Sequence, residues 1–351
     1  MYTNDSNYTV IIHCMTFNHK PYIRQCLDGF VMQKTKFPFI AIVVDDASTD
    51  NEQEVLWDFI NSELDSTFLQ KDETDDLVKV VATHKTNNNC TFIFLFLKYN
   101  HYNIKKDKRI YLKPWEEKTK YIAICEGDDY WIDPLKLQKQ VDILERHQNI
   151  TMIHSGFKYL DDNSCSFRDS SPVNSNISNI EKIYNILNYN KYRIQTCTVV
   201  VRRDCWDKTI DINKEVFNPH YFLMGDTQRW VGLLEIGDIY YLPDITSVYR
   251  IHSNSATCRN NNSVRKLRFD LSCSEMRLFF IEKLKLSETF KKEIENVYYH
   301  QLIKYKVFNP DYIPYHNIDK KHALILKLTT IPIVRKFLKF YLTNKKGIKE
   351  F

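Results

Sequence analysis

The chain has 351 residues, of which 43% are hydrophobic and 26% charged, enough for the core of one large domain or two ordinary ones and too apolar for disorder. Its net charge of +5 is unevenly placed: residues 320–351 hold nine Lys or Arg and a single acid, Glu350, a net +8 that leaves −3 for residues 1–319. Nine cysteines without a C-x-x-C pair argue against a disulfide scaffold and a zinc ribbon, and seven glycines form neither G-x-G-x-x-G nor G-x-x-x-x-G-K, which removes the commonest nucleotide fingerprints. Residues 1–9 lack the basic start and apolar run of a signal peptide, and no stretch approaches the ~18–20 apolar residues of a membrane span, so a reduced, cytoplasmic setting is expected.

In chain order, Val10 to Ile12 opens an apolar strand ending near Thr16-Phe17-Asn18. Pro21 then introduces a helix with Ile23, Leu27, Phe30 and Val31 on one face. Phe39 to Val44 is a second strand running into Asp45-Asp46, and Ser48 or Asp50 can cap the helix that carries Val55 and Phe59. Val78 to Ala82, Phe92 to Leu97 and Tyr121 to Cys125 read as further strands, the last delivering Glu126-Gly127-Asp128-Asp129. Asp133-Pro134 precedes a helix marked by Leu137, Val141 and Leu144. Residues 164–179 read as a Ser/Asn-rich loop, Thr196 to Val201 as a strand and Thr227 to Ile236 as a helix. Residues 263–308 and 320–343 follow helical patterns, with an interruption at Pro332. Alternating strands and helices predict an α/β fold with a mostly parallel sheet covered on both faces, where ligands bind beyond the carboxyl ends of the strands. Both acidic clusters fall at such ends.

Three carboxylates within Glu126–Asp129 repel one another unless a cation joins them, and partial burial at a strand end sharpens the repulsion. Mg²⁺ or Mn²⁺ relieves it; a solvated acidic turn ahead of the next helix is the plainer alternative. Asp45-Asp46 can accept hydrogen bonds from a ribose or base, or simply cap a helix.

Taken together, four segments resemble glycosyltransferase family 2, the inverting nucleotide-sugar enzymes of GT-A fold, in the version found in bacterial surface-polysaccharide synthesis. They are VIIHCMTFNHKPYIRQCLDGFVMQ, VVDDASTD, YIAICEGDDYWIDPLKLQKQVDIL and MGDTQRWVGLLEIGDIYYLPDITSVYRIHSNSAT, in that order over residues 8–256. The resemblance implies that Asp46, with Thr16 and Phe17, contacts the nucleotide. It implies that Asp128 is the main ligand of Mg²⁺ or Mn²⁺, assisted by Glu126 or Asp129. The general base would be Asp226, with His252 reaching the metal or diphosphate and Arg250 supporting the same diphosphate. The family's D-x-D begins here with Glu126, and Gly225 stands where an acid usually precedes the base. The implied reaction is metal-dependent, inverting transfer from a nucleotide sugar, most simply a UDP-sugar, to a saccharide or lipid-linked saccharide in capsule, O-antigen (lipopolysaccharide) or related synthesis. Competing readings are a nucleotidyltransferase, which wants a glycine- and basic-rich phosphate loop that is missing, and a catalytically inactive sugar- or nucleotide-binding module.

Trp131 and Trp230 are candidates for stacking on acceptor sugars, or for ordinary packing. Gln228-Arg229-Trp230 differs in spacing from the Q-x-x-R-W of processive synthases, so one sugar per acceptor is expected. The basic run Lys105 to Arg109, inside an insertion over 87–115, reads as a mobile cover for the diphosphate or a solvated loop. A catalytic domain over 1–258 and a helical region over 259–351 are expected. In the tail, Leu326, Ile333, Phe337, Phe340 and Tyr341 can share a face opposite Lys and Arg, a pattern that suits peripheral contact with the inner face of the cytoplasmic membrane or packing on the body. Nucleic acid is not an expected partner.

Overall fold

Apolar runs become strands and amphipathic stretches become helices in the order the sequence suggests. The structure, a computed structural model, describes residues 8–174, 176–188, 192–218, 221–253 and 263–348. The expected leaderless start at 1–7 and the domain boundary at 258 lie outside them. The first elements are β1 (Val10–Thr16), α1 (Ile23–Val31), β2 (Phe39–Asp45), α2 (Glu52–Glu63), β3 (Gln70–Glu73), β4 (Leu77–Thr83) and β5 (Cys90–Leu97). Next come α3 (Arg109–Glu116), β6 (Tyr121–Ile124), β7 (Tyr130–Trp131), α4 (Lys136–Arg146), β8 (Ile150–Asp161), β9 (Ser166–Asp169) and α5 (Asn179–Leu187). They are followed by β10 (Val200–Arg202), α6 (Arg203–Ile212), α7 (Thr227–Ile236) and β11 (Asp238–Ile251), and then by α8 (Val264–Lys283), α9 (Glu288–Phe308), α10 (Lys320–Thr330) and α11 (Pro332–Lys346).

The strands join one mixed sheet in the order β3-β4-β5-β2-β1-β6-β10-β8-β11-β7, with β9 added to β8. Its centre, β5-β2-β1-β6, is parallel, and β8 and β11 form a second parallel pair. All seven residues of β2 are buried, as a parallel strand covered on both faces requires. Alternation along β1 sorts the two layers. Val10, Ile12 and Cys14 pack with Leu27 and Phe30 of α1, Leu56 and Phe59 of α2 and Leu137 of α4. Ile11 faces the other way, with Ile42, Val44 and Leu112 of α3. Residue 29 must be glycine for α1 to lie on β7: a Cβ there would stand 2.9 Å from the Trp131 nitrogen and 3.1 Å from its oxygen.

Two expectations change. The stretch 164–179 contains β9, a short partner of β8 whose four side chains are all exposed. Only backbone pairing makes it a strand, so no apolar alternation betrays it. The strand expected from Thr196 begins instead with a 3₁₀ turn over Thr196–Thr198, and pairing starts at Val200.

The chain divides into two compact units that are discontinuous in sequence. One comprises residues 1–182, 192–208 and 233–252 and contains the whole sheet. The other comprises 183–191, 209–232 and 253–351. In the second, α8 and α9 bury Leu271, Leu278, Ile281, Ile294 and Leu302, and α10 and α11 pack on α9.

Candidate functional site

The parallel register carries the ends of β1, β2 and β6 to the same edge of the sheet, with Thr16 beside Asp45 and His13 beside Ile124. Beyond that edge the chain turns sharply. Asn18 and Ala47 both hold φ of 58°, in the left-handed region, and the two turns clasp each other. Asn18 N donates to Ser48 Oγ at 2.9 Å, and Thr49 N donates to Asn18 Oδ1 at 2.7 Å. Glu52, the first residue of α2, is fully buried beneath them. It accepts from the Thr16 hydroxyl, from His19 N at 2.8 Å and from Ser48 Oγ at 2.9 Å. Burial pushes the Glu52 carboxyl up to about 7, against those hydrogen bonds.

This clasp holds the His19 ring over the turn after β6. His19 Nε2 lies 3.7 Å from Asp128 Oδ2, and His252, just past the end of β11, brings its Nε2 to 3.0 Å from the same oxygen. One donor atom from each of His19, Asp128 and His252 fits within 4.8 Å of the others, the one such grouping of three among the described residues. Adjacent ligands of an octahedral ion bound at about 2.1 Å stand about 3.0 Å apart, so a divalent cation fits with small side-chain shifts. Burial alone would raise the Asp128 carboxyl; the His252 hydrogen bond and the charges of His19 and His252 outweigh it and hold the group below its usual range. Gly127 brings this turn against β1. A Cβ there would stand 2.8 Å from the Thr16 Cβ and 3.0 Å from the Ile23 Cδ1.

The remaining candidates are distributed differently from the sequence expectation. Asp128 and His252 come together, but Glu126 and Asp129 do not join them. Glu126 accepts from Thr196 Oγ1 at 2.7 Å and lines a 150 Å³ cavity with His13, Arg109 and Glu116. Asp129 is buried and accepts from Arg250 N at 2.9 Å. Burial, with Asp128 and Glu126 nearby, drives its carboxyl well up and favours the neutral acid. The Arg250 guanidinium, expected to support a diphosphate, is held by the protein's own acceptors. Its Nε donates to the Asp128 carbonyl at 2.9 Å, its Nη1 to Asp162 at 2.8 Å and its Nη2 to Gln25 at 2.7 Å. It fixes the Asp128 turn from behind.

Asp46, the residue after β2, has both oxygens engaged: Oδ1 accepts from His101 N at 2.7 Å, and Oδ2 from Tyr102 N at 3.2 Å and Lys108 Nζ at 2.7 Å. The basic segment, expected as a mobile cover or a solvated loop, is tied to the body, with Lys106 also paired to Asp76 at 2.7 Å and Arg109 opening α3. Thr16 is buried and Phe17 half-buried at the same strand edge. Trp131 is 1% exposed, packs edge-on against Phe30 at 4.9 Å and donates Nε1 to the Cys197 carbonyl at 2.8 Å. Trp230 is also buried. Neither ring offers a face to an acceptor sugar, so both stacking expectations are corrected.

Asp226 belongs to the second unit, at the start of α7. Its Oδ1 accepts from Thr227 N at 2.6 Å, and its carbonyl accepts from Arg229 N and Trp230 N. The residue is half-buried beside an exposed Gly225, around whose Cβ position no atom lies within 4 Å.

Residues 10–103 match the sequence model described as Glycosyl transferase family 2. Uncharacterised proteins of Mycobacterium tuberculosis and Mycobacterium bovis are 29% identical over 241 residues, which is 68% of this chain and 58% of theirs. The chain thus spans 58% of the length of these curated relatives. Among solved structures, S. aureus TarS 1-349 in complex with UDP-GlcNAc superposes with a TM-score of 0.51 at 12% identity, covering 97% of this chain and 92% of that one. The mannosyltransferase PcManGT from Pyrobaculum calidifontis, in complex with GDP-Man and Mn2+, gives 0.44 at 12% identity, over 99% and 89%. The likeness to TarS bears on the fold, which is GT-A.

Proposed function

We propose, from the premise that residues 10–103 are a glycosyltransferase family 2 domain, that this protein transfers a sugar from a nucleotide-diphosphate sugar, with inversion, to a hydroxyl of a saccharide or lipid-linked saccharide. The observation that carries the reading is the meeting of Asp128, His252 and His19 at the strand ends of a GT-A sheet. The donor is read as a UDP-sugar and the pathway as assembly of a capsule, O-antigen or other bacterial surface polysaccharide.

Asp128 and the two imidazoles would hold a divalent cation. One carboxylate oxygen and two imidazole nitrogens suit Mn²⁺ better than Mg²⁺, which prefers oxygen. Bound there, such an ion neutralises charge on a departing nucleoside diphosphate. The protein's own groups do the rest. Arg250 and Asp129 keep the Asp128 turn rigid, so its carboxylate is oriented before the donor arrives. The nucleoside is assigned to the strand edge of Thr16, Phe17 and Asp46, where the Asp46 carboxylate, already held by His101 N, Tyr102 N and Lys108 Nζ, would shape that edge through the loop it anchors. Asp226 is the base: it takes the acceptor hydroxyl's proton while that oxygen bonds to the anomeric carbon and the bond from that carbon to the diphosphate oxygen breaks. A single displacement inverts the configuration.

Asp226→Asn tests the assignment. Transfer should fall by about 10²–10⁴-fold with donor binding and melting temperature unchanged. Transfer within a few-fold of wild type, or a product whose anomeric configuration is retained by NMR, would overturn it.

A further inference from the structure

Helix α11 has two apolar stripes, and only one is used for folding. Leu338 and Leu342 turn inward, joining Val307, Phe308 and Ile348, while Arg335 Nε donates to the Val307 carbonyl at 2.8 Å. On the outer side Ile333, Phe337 and Phe340 are 78%, 68% and 65% exposed, with Tyr341 beside them. Their spacing of i, i+4, i+7 and i+8 is a single helical face. The preceding helix repeats the arrangement. In α10, Leu326 and Thr329 are buried, whereas Leu324, Leu328 and the following Ile331 are exposed at i, i+4 and i+7. Leu326, expected from the sequence on the outward face, is instead part of the inner packing. Because the inner stripes already supply the contacts with α9, the outer side chains are not needed to hold the helices in place.

Charge says what this outer surface fits. From Lys320 to Ile348 there are eight Lys or Arg and no Asp or Glu. Lys320, Lys321, Lys327, Lys336 and Lys346 are exposed. Neither helix is long and apolar enough to cross a membrane. We propose that α10 and α11 lie flat on an anionic lipid bilayer, with Ile333, Phe337, Phe340 and their α10 counterparts below the headgroups and the lysines among the lipid phosphates. A second copy seated on this face would set two acid-free, basic surfaces against each other, whereas anionic lipid answers both the apolar stripe and the charge. The inference rests on these helices alone and does not depend on the sugar-transfer reading.

Vesicle flotation of the full chain tests it, using phosphatidylcholine vesicles with or without phosphatidylglycerol. The protein should float with the phosphatidylglycerol vesicles, remain behind with phosphatidylcholine alone, and be released by high salt. Phe337→Glu with Phe340→Glu should abolish flotation while leaving the thermal melt unchanged, since both side chains are exposed. Lys320→Gln and Lys321→Gln should each weaken partition about five-fold. Wild-type protein that stays with the non-floating fraction, or a double Glu variant that floats equally well, would overturn the proposal. A stable dimer by light scattering that the double Glu variant dissolves would also overturn it, by giving the face to a second copy.

Discussion

His252 Nε2 stands 3.0 Å from Asp128 Oδ2, while the next carboxylate in the chain, Asp129, is buried and accepts from Arg250 N. Two adjacent aspartates thus have different work: one is exposed enough to bind, the other braces the backbone.

Mn²⁺ binding in the absence of donor, followed by electron paramagnetic resonance, separates them. Asp128→Asn and His252→Ala should each weaken binding by about 10–100-fold or more. Asp129→Asn should leave it nearly unchanged, because an amide is a close substitute for a buried neutral acid. The reverse ranking would exchange their roles.

Arg250 is the brace's other half. It is buried, its guanidinium spans three acceptors, and its carbon atom sits 4.5 Å over the Tyr22 ring. Arg250→Ala takes the guanidinium from Asp162, which keeps Tyr22, and from the Asp128 carbonyl, and should cost about 3–5 kcal/mol in urea denaturation. Arg250→Lys should recover only part of this, since an ammonium cannot reproduce the planar fork. Full recovery by lysine would show that charge alone matters.

Glu52 gives a pH signature. Its carboxyl is raised from 4.5 to about 7 in the folded chain. Between those values the folded state keeps a proton that the unfolded chain has released. Its contribution to stability is therefore complete below pH 4.5 and is lost as pH rises through 7, at most about 3 kcal/mol. Glu52→Gln should flatten that part of the stability profile; an unchanged slope would assign the titration elsewhere.

Much of this was legible in the residues. The runs Phe39 to Val44 and Phe92 to Leu97 are apolar on both faces and became β2 and β5, and Pro332 marks the junction of α10 and α11. The acidic turns lie at strand ends as expected. His19 and Glu52 were not legible. Each acquires its role from a contact more than 30 residues away, Glu52 with Thr16 and His19 with Asp128, and no local spacing announces such a pairing. Likewise nothing in Asp-Asp distinguishes Asp128 from Asp129; the hydrogen bond from Arg250, at the far end of β11, does. The packing of Trp131 and the protein partners of Arg250 are hidden for the same reason. Their partners, Cys197 and Asp162 among them, are supplied by other strands and turns.

Release of nucleoside diphosphate is the most direct readout of the Asp128 centre. The full chain and Asp128→Asn are to be incubated with a panel of UDP- and GDP-sugars and saccharide acceptors, with Mn²⁺ or with EDTA. Wild-type protein should liberate the diphosphate from a donor of the panel when Mn²⁺ is present, and both EDTA and Asp128→Asn should abolish it. Equal release in EDTA, or from Asp128→Asn, would contradict the claim that this carboxylate and a divalent ion drive the reaction.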